Sequence, residues 1–171
     1  MPIGFLPVFV TAIASETTTV PFIRSARRSD LLAVVDIEQR SFPQPWSIGA
    51  FERFLDAPAF LVAVDRDSGQ DGAVIGYIVA DAVPNHGTPL GHVKDLAVHP
   101  DCRRTGIGRQ LLERAVCTLR STGVGSIKLE VRESNDPAKR LYQRTGFVHR
   151  RTIPRYYDDG EDALVMLQTW G

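Results

Sequence analysis

The chain has 171 residues, 43% of them hydrophobic and 23% charged, and its 20 basic side chains balance 20 acidic ones. A chain of that length is expected to be one domain burying roughly 70% of its unfolded surface, with no need of a disulfide or metal staple. Zero net charge and no region dominated by Lys and Arg argue against nucleic-acid binding, which needs many phosphate contacts on one face.

Met1 to Ala14 is apolar and uncharged. It is shorter than the ~20 residues needed to span a bilayer. A secretory leader would begin with basic residues, yet the first here is Arg24, and Pro2, Gly4 and Pro7 interrupt any helix. Residues 1–21 are therefore expected to be an N-terminal extension, flexible or lying on the surface of a domain spanning 22–171, with no membrane role. The two cysteines, Cys102 in a loop and Cys117 on the apolar face of a helix, have no metal or redox spacing. Free thiols are ordinary in a reducing compartment, so the chain is expected in the cytoplasm. The four histidines are scattered along the chain, and no metal site is expected.

Phe22 to Arg24 is a short strand candidate. Ser29-Asp30 is placed to cap a helix whose apolar face is Leu31, Leu32, Val34, Val35 and Ile37. Two prolines make Ser41 to Trp46 a loop, after which Ser47 caps a second helix carrying Phe51, Phe54 and Leu55 and ending at Pro58. Phe60 to Val64 and Val74 to Val83 read as strands joined by the turn Asp67 to Gly72, and Pro84 to Gly91 as a polar turn. Val93 to Val98 is a buried strand ended by His99-Pro100-Asp101. An amphipathic helix follows through Leu111, Leu112, Ala115, Val116 and Leu119, with Gly123 at its end. Ser126 to Arg132 is a strand, Asn135 to Thr145 a helix with proline in its first turn, and Phe147 to Thr152 and Asp162 to Gln168 are the last strands. The order predicts an α/β fold: one mixed sheet of about seven strands with four main helices packed on its faces.

The most informative stretch is Arg103-Arg104-Thr105-Gly106-Ile107-Gly108-Arg109, which leads from a buried strand into a helix. Several backbone N–H groups at a helix start converge on one spot, where the helix dipole adds positive potential. A pyrophosphate is the natural guest. No lysine follows these glycines, which excludes a Walker loop, and Leu111 stands where a dinucleotide fingerprint needs a third small residue.

The pattern Arg103-x-x-Gly106-x-Gly108 after a strand resembles the hallmark of the GNAT superfamily of N-acetyltransferases, and the likeness runs from about Phe22 to Leu167. Four further stretches are similar to the protein N-terminal acetyltransferases, the RimI-like and archaeal group: Ile37 to Trp46, Asp95 to Asp101, Leu129 to Asn135, and Tyr156 to Ala163. The resemblance implies the GNAT fold and acetyl-CoA as cosubstrate, with no metal. It also implies direct transfer of acetyl to the α-amine of a protein or peptide N-terminus, ribosomal proteins being one class of acceptor.

Site residues carried over with that resemblance are Leu96, Ala97 and Val98, whose backbone groups would meet the acetyl and pantetheine arm. Arg103, Arg104, Thr105, Gly106, Ile107, Gly108 and Arg109 would surround the pyrophosphate, and Asn135 would steady the pantetheine. Glu130 matches the family's general base and Tyr142 the acid that protonates the departing thiolate. A peptide α-amine, of pKa about 7.7 to 8.0, asks little of a base, whereas a lysine amine near 10.4 asks far more. Phe42, Pro43 and Trp46 are expected to wall the acceptor pocket, and Tyr156 and Tyr157 to bond the peptide backbone. Two alternatives stay open at this level: a GNAT enzyme acting on a small amine or a lysine side chain, and a non-catalytic acetyl-CoA sensor, which would need neither Glu130 nor Tyr142.

Overall fold

The computed structural model describes residues 20–69 and 72–170. The expected extension, apart from its last two residues, lies outside the described residues, as does the middle of the turn before Gly72.

The elements follow the predicted order. They are β1 (Phe22–Ser25), α1 (Leu31–Ser41), α2 (Ile48–Glu52), β2 (Ala59–Asp65), β3 (Ala73–Val83), β4 (Leu90–Val98), α3 (Ile107–Ser121), β5 (Ser126–Arg132), α4 (Asp136–Arg144), β6 (Val148–Ile153) and β7 (Ala163–Thr169). The strands form a seven-stranded sheet in the order β1-β2-β3-β4-β5-β7-β6. Every pairing is antiparallel except β4 with β5.

Strand alternation divides the core between the two faces of the sheet. Leu61, Ala63, Ile78, Ala80, Ile127 and Leu129 meet Leu111, Leu112, Ala115 and Leu119 of α3 on one face. Phe60, Val62, Tyr77 and Val79 meet Leu31, Val34 and Ile37 of α1 and Phe51 of α2 on the other. The α/β expectation is thereby met, helices covering both faces.

Local differences have physical causes. Asp30 does not cap α1 with its side chain. Its carboxylate instead accepts from the Arg27 N–H at 2.7 Å and from the Arg24 guanidinium at 2.6 and 2.9 Å, tying the first strand to the helix start. Burial pushes that carboxyl up, but these hydrogen bonds and charges outweigh it and hold it below the usual range. Leu32, expected on the apolar face, is 76% exposed. Ser47 does cap α2, accepting from Ala50 N at 3.3 Å. That helix ends at Glu52 and continues to Ala57 in tighter i→i+3 turns, because the residue before Pro58 disfavours α geometry.

The expected turn through Gly91 is already strand. A Cβ at Gly91 would lie 2.7 Å from Ile127 Cγ1 and 3.1 Å from Leu119 Cδ1, so the glycine lets α3 approach the sheet. Cys117 is exposed rather than on the apolar face, and Cys102 sits in a 3-10 turn over Pro100–Cys102. No helix among the described residues is long and apolar enough to cross a membrane.

Candidate active site

The one parallel pairing creates the site. β4 and β5 are in register from Leu90↔Ser126 to Val93↔Leu129 and no further. Beyond that point β4 continues along β3 as far as Val98, with a bulge at Val79/Ala80, while Glu130–Arg132 continue along β7. The strands splay, and a cavity of about 410 Å³ opens between them. Asp95 and Leu96 border it from β4, Glu130 and Arg132 from β5, Asn135 and Tyr142 from α4, and Phe42, Pro43 and Trp46 from the loop after α1.

Glu130 points away from its buried neighbours Leu129 and Val131, as alternation requires. Its carboxylate accepts from Lys128 Nζ at 2.9 Å and lies 2.6 Å from His92 Nε2. Lys94 Nζ approaches His92 Nδ1 at 3.4 Å. Burial pushes the Glu130 carboxyl up, but the bonds and charges of His92 and Lys128 prevail and hold it at about 2. His92 had looked like one of four scattered histidines. Its relation to Glu130 depends on β4 and β5 lying side by side, thirty-eight residues apart in sequence.

Tyr142 is buried, its ring edge-on to Phe147 at 6.0 Å. Burial first, then the charge of Asp95, raises its hydroxyl above the ordinary phenol value. It is a protonated donor at any neutral pH. Asn135 caps α4, its Oδ1 accepting from Ala138 N at 3.2 Å, which leaves its NH₂ as a donor at the cavity.

The loop into α3 has the expected shape. Gly106 has φ +86° and Arg104 φ +63°, so two left-handed residues turn the chain sharply before the helix. Ile107, Gly108 and Arg109 occupy the first turn, where N–H groups have no helical partner. Two arginine side chains have partners within the protein. Arg103 donates to Val98 O at 3.0 Å and to Ser41 Oγ at 3.0 Å, bracing the end of β4. Arg109 pairs with Glu113 at 2.7 Å. Thr105 bonds Cys102 O at 2.6 Å, closing the turn. The Leu96 N–H is also committed, donating to Asp95 Oδ1 at 2.8 Å. Among the three residues expected to serve the acetyl arm, Leu96 borders the cavity, while Ala97 and Val98 do not.

On the acceptor side, Trp46 stacks on Phe54 at 5.7 Å and tilts against Phe51 at 5.4 Å. Tyr157 borders the cavity, whereas Tyr156 does not and is 50% exposed. The Arg132 guanidinium lies 3.9 Å over the Tyr157 ring. Arg132 is itself held by Asp159 at 2.8 Å and Glu161 at 2.7 Å. Glu161 also accepts from Ser134 N, and Asp162 from Arg155 N, both at 2.8 Å, so this acidic run shapes the loop.

Sequence reading missed a second acidic group. Glu38, 1% exposed, accepts from Trp46 N at 2.8 Å and from the Tyr77 hydroxyl. The same hydroxyl lies 3.0 Å from Asp95 Oδ2. Glu38 lies in the Ile37 to Trp46 stretch, where sequence alone assigned it no role. Among the described residues no cluster of three or more His, Cys, Asp or Glu has the arrangement of a metal site.

The sheet thus opens at its one parallel junction, beside a helix start whose N–H groups are free of helical partners. Residues 31–147 match the acetyltransferase (GNAT) family, and the chain belongs to that family and is an acyltransferase. It is 36% identical to the [ribosomal protein bS18]-alanine N-acetyltransferase of Escherichia coli K12 over 153 residues, covering 84% of this chain and 94% of that one. It is 32% identical over 157 residues to the N-alpha-acetyltransferase of Sulfurisphaera tokodaii, covering 84% and 90%. Among solved structures, a chain of the NatC complex bound to Gag peptide and CoA superimposes with a TM-score of 0.82 at 25% identity, covering 88% of this chain and 99% of that one.

Proposed function

We propose that this enzyme transfers acetyl from acetyl-CoA to the α-amino group of protein or peptide N-termini. The observation that carries the reading is the Glu130–His92 pair facing, across the β4/β5 splay, an aromatic wall at Phe42 and Trp46. The relatives' activities, alanine N-acetylation of ribosomal protein bS18 and N-alpha-acetylation, support the same acceptor class.

The chain's residues fit the cosubstrate. Backbone N–H groups from Arg104 to Arg109 suit a pyrophosphate at the start of α3, and Leu96 with the Asn135 amide suits the pantetheine arm. Acetyl-CoA supplies an activated acyl group as a thioester. On the acceptor side, Glu130 stays ionised throughout the working range, which suits it to hold an ammonium or a water beside it. A carboxylate held near 2 captures a proton poorly from an amine of pKa about 8. Glu130 therefore acts through a water, His92 keeping the carboxylate oriented, and the proton passes to solvent. Because on the order of a tenth of an α-amine is already neutral at pH 7, this modest assistance suffices. Tyr142, kept protonated by burial, donates to the departing sulfur.

The test is acetyl-CoA consumption with peptides of varied first residue, beside spermidine and an N-blocked lysine peptide. Turnover confined to free N-termini is expected. Turnover only with spermidine or lysine would reassign the acceptor, and bound acetyl-CoA without any turnover would favour a sensor. Gly106→Trp, which forces a bulky side chain onto φ +86° at the phosphate turn, is expected to abolish acetyl-CoA binding in calorimetry.

A further inference from the structure

Two carboxyl groups from distant parts of the chain meet under the cavity around one hydroxyl. Glu38 on α1 and Asp95 on β4 both contact the Tyr77 hydroxyl on β3. A phenol has one hydrogen to give, so only one of the two oxygens can accept it. The other contact is favourable only if that carboxyl carries a proton of its own. Two bare carboxylates around one buried hydroxyl would repel each other in a medium that screens little.

The remaining oxygens reach two functional segments. Glu38 Oε1 accepts from the backbone N–H of Trp46, in the aromatic wall. Asp95 Oδ1 accepts from the backbone N–H of Leu96, on the strand assigned to the acetyl arm. One bonded unit thus runs from the acceptor-side loop, through the sheet, to the cofactor-side strand.

Taking the cavity as the acetyl-transfer site, we propose that Glu38, Tyr77 and Asp95 form a positioning unit that shares one proton between its two carboxyls. It holds the wall at Trp46 against β4, and so sets affinity for the acceptor peptide rather than for acetyl-CoA. Asp95 is the member that keeps the proton: burial and then the Glu38 charge push its carboxyl up to about 8. The groups facing it are Glu38 from α1, Tyr77 from β3 and Tyr142 from α4, with Glu130, Lys94 and Arg132 on the same cavity. Above its midpoint the protonated fraction falls tenfold per pH unit, the shared hydrogen is lost, and the loop anchor loosens.

The experiment uses a Trp170→Phe background, which leaves Trp46 as the single tryptophan reporter. Trp170 lies away from the cavity, under the Arg120 guanidinium. Trp46 emission is expected to titrate with a midpoint near 8, the value to which Asp95 is pushed. Asp95→Asn keeps an oxygen for Leu96 N–H and presents a permanent donor to its partners, so it is expected to abolish that titration. In parallel, peptide KM in the Trp170→Phe background, divided by that of Asp95→Asn in the same background, is expected to rise about tenfold between pH 7 and 9, with acetyl-CoA affinity changing less than about twofold. The ratio cancels ionisation of the amine itself. Tyr77→Phe, which removes only the shared hydroxyl, should raise peptide KM at every pH and spare acetyl-CoA affinity. A flat Trp46 signal, a titration that survives Asp95→Asn, or equal loss of both affinities in Tyr77→Phe overturns the proposal. Absence of turnover with every peptide would instead defeat the acetyl-transfer reading, while the fluorescence titration still decides this one.

Discussion

Two acidic side chains face the same cavity from adjacent strands and are held in opposite states. Burial acts on both and pushes both carboxyls up. Glu130 on β5 nevertheless ends at about 2 because His92 and Lys128 are its neighbours. Asp95 on β4 ends at about 8 because it is deeply buried and because its close partner, beyond Tyr77, is another carboxyl. The difference lies both in depth, Asp95 being the more deeply buried, and in the company each keeps. One carboxyl is held ionised, and the other is held protonated below about 8.

The sharpest way to break this contrast is Glu130→Gln. It removes the charge but keeps the shape, and kcat with a peptide acceptor is expected to fall about 100-fold or more while acetyl-CoA affinity stays near its original value. An unchanged kcat would remove Glu130 from the chemistry. Tyr142→Phe tests the donor opposite. Because a thiol of pKa near 8.5 departs readily even unprotonated, the expected loss is about tenfold, read as kcat at saturating peptide.

Smaller effects, opposite in sign, are expected in thermal melts. Glu130 has a folded pKa below its unfolded value, so its contribution to stability is present above about 4.5 and is lost as pH falls through about 2. The destabilisation of Glu130→Gln should therefore shrink across that interval. Asp95 has a folded pKa above its unfolded value, so its contribution is present below about 3.8 and is lost as pH rises through about 8. Relative to the parent, Asp95→Asn should gain Tm as pH rises across that interval. Parallel rather than opposed trends would mean that the two sites share one electrostatic environment.

Much of the fold was legible because it depends on local rules. Strand alternation sent Glu130 away from Leu129 and Val131, and the structure keeps that arrangement. Ser47 capped its helix, Gly123 and Gly146 closed theirs at positive φ, and Gly106 supplied the left-handed turn before α3. Each is a matter of a few neighbouring residues. Leu32 and Cys117, both placed on apolar faces by periodicity, are exposed, since a repeat fixes a helical face only approximately and packing selects the width that is buried. Gly91 resembled a turn residue because the helix crowding it, α3, is remote in sequence.

By itself the sequence determined the order of the elements, the turn from Arg103 to Arg109 into a helix, and the placement of Glu130 on a strand and Tyr142 on a helix. Tertiary structure decided what those groups are. Parallel pairing of β4 with β5 brought His92 to Glu130, and packing of α1 on the sheet buried Glu38 against Tyr77 and Asp95. The Arg103 side chain was brought to Val98 and Ser41, the latter sixty-two residues away in sequence. Secondary structure follows from periodicity and capping within a few residues, whereas a side chain's protonation state and partners depend on charges and hydrogen bonds that only the closed fold brings within about 3 Å.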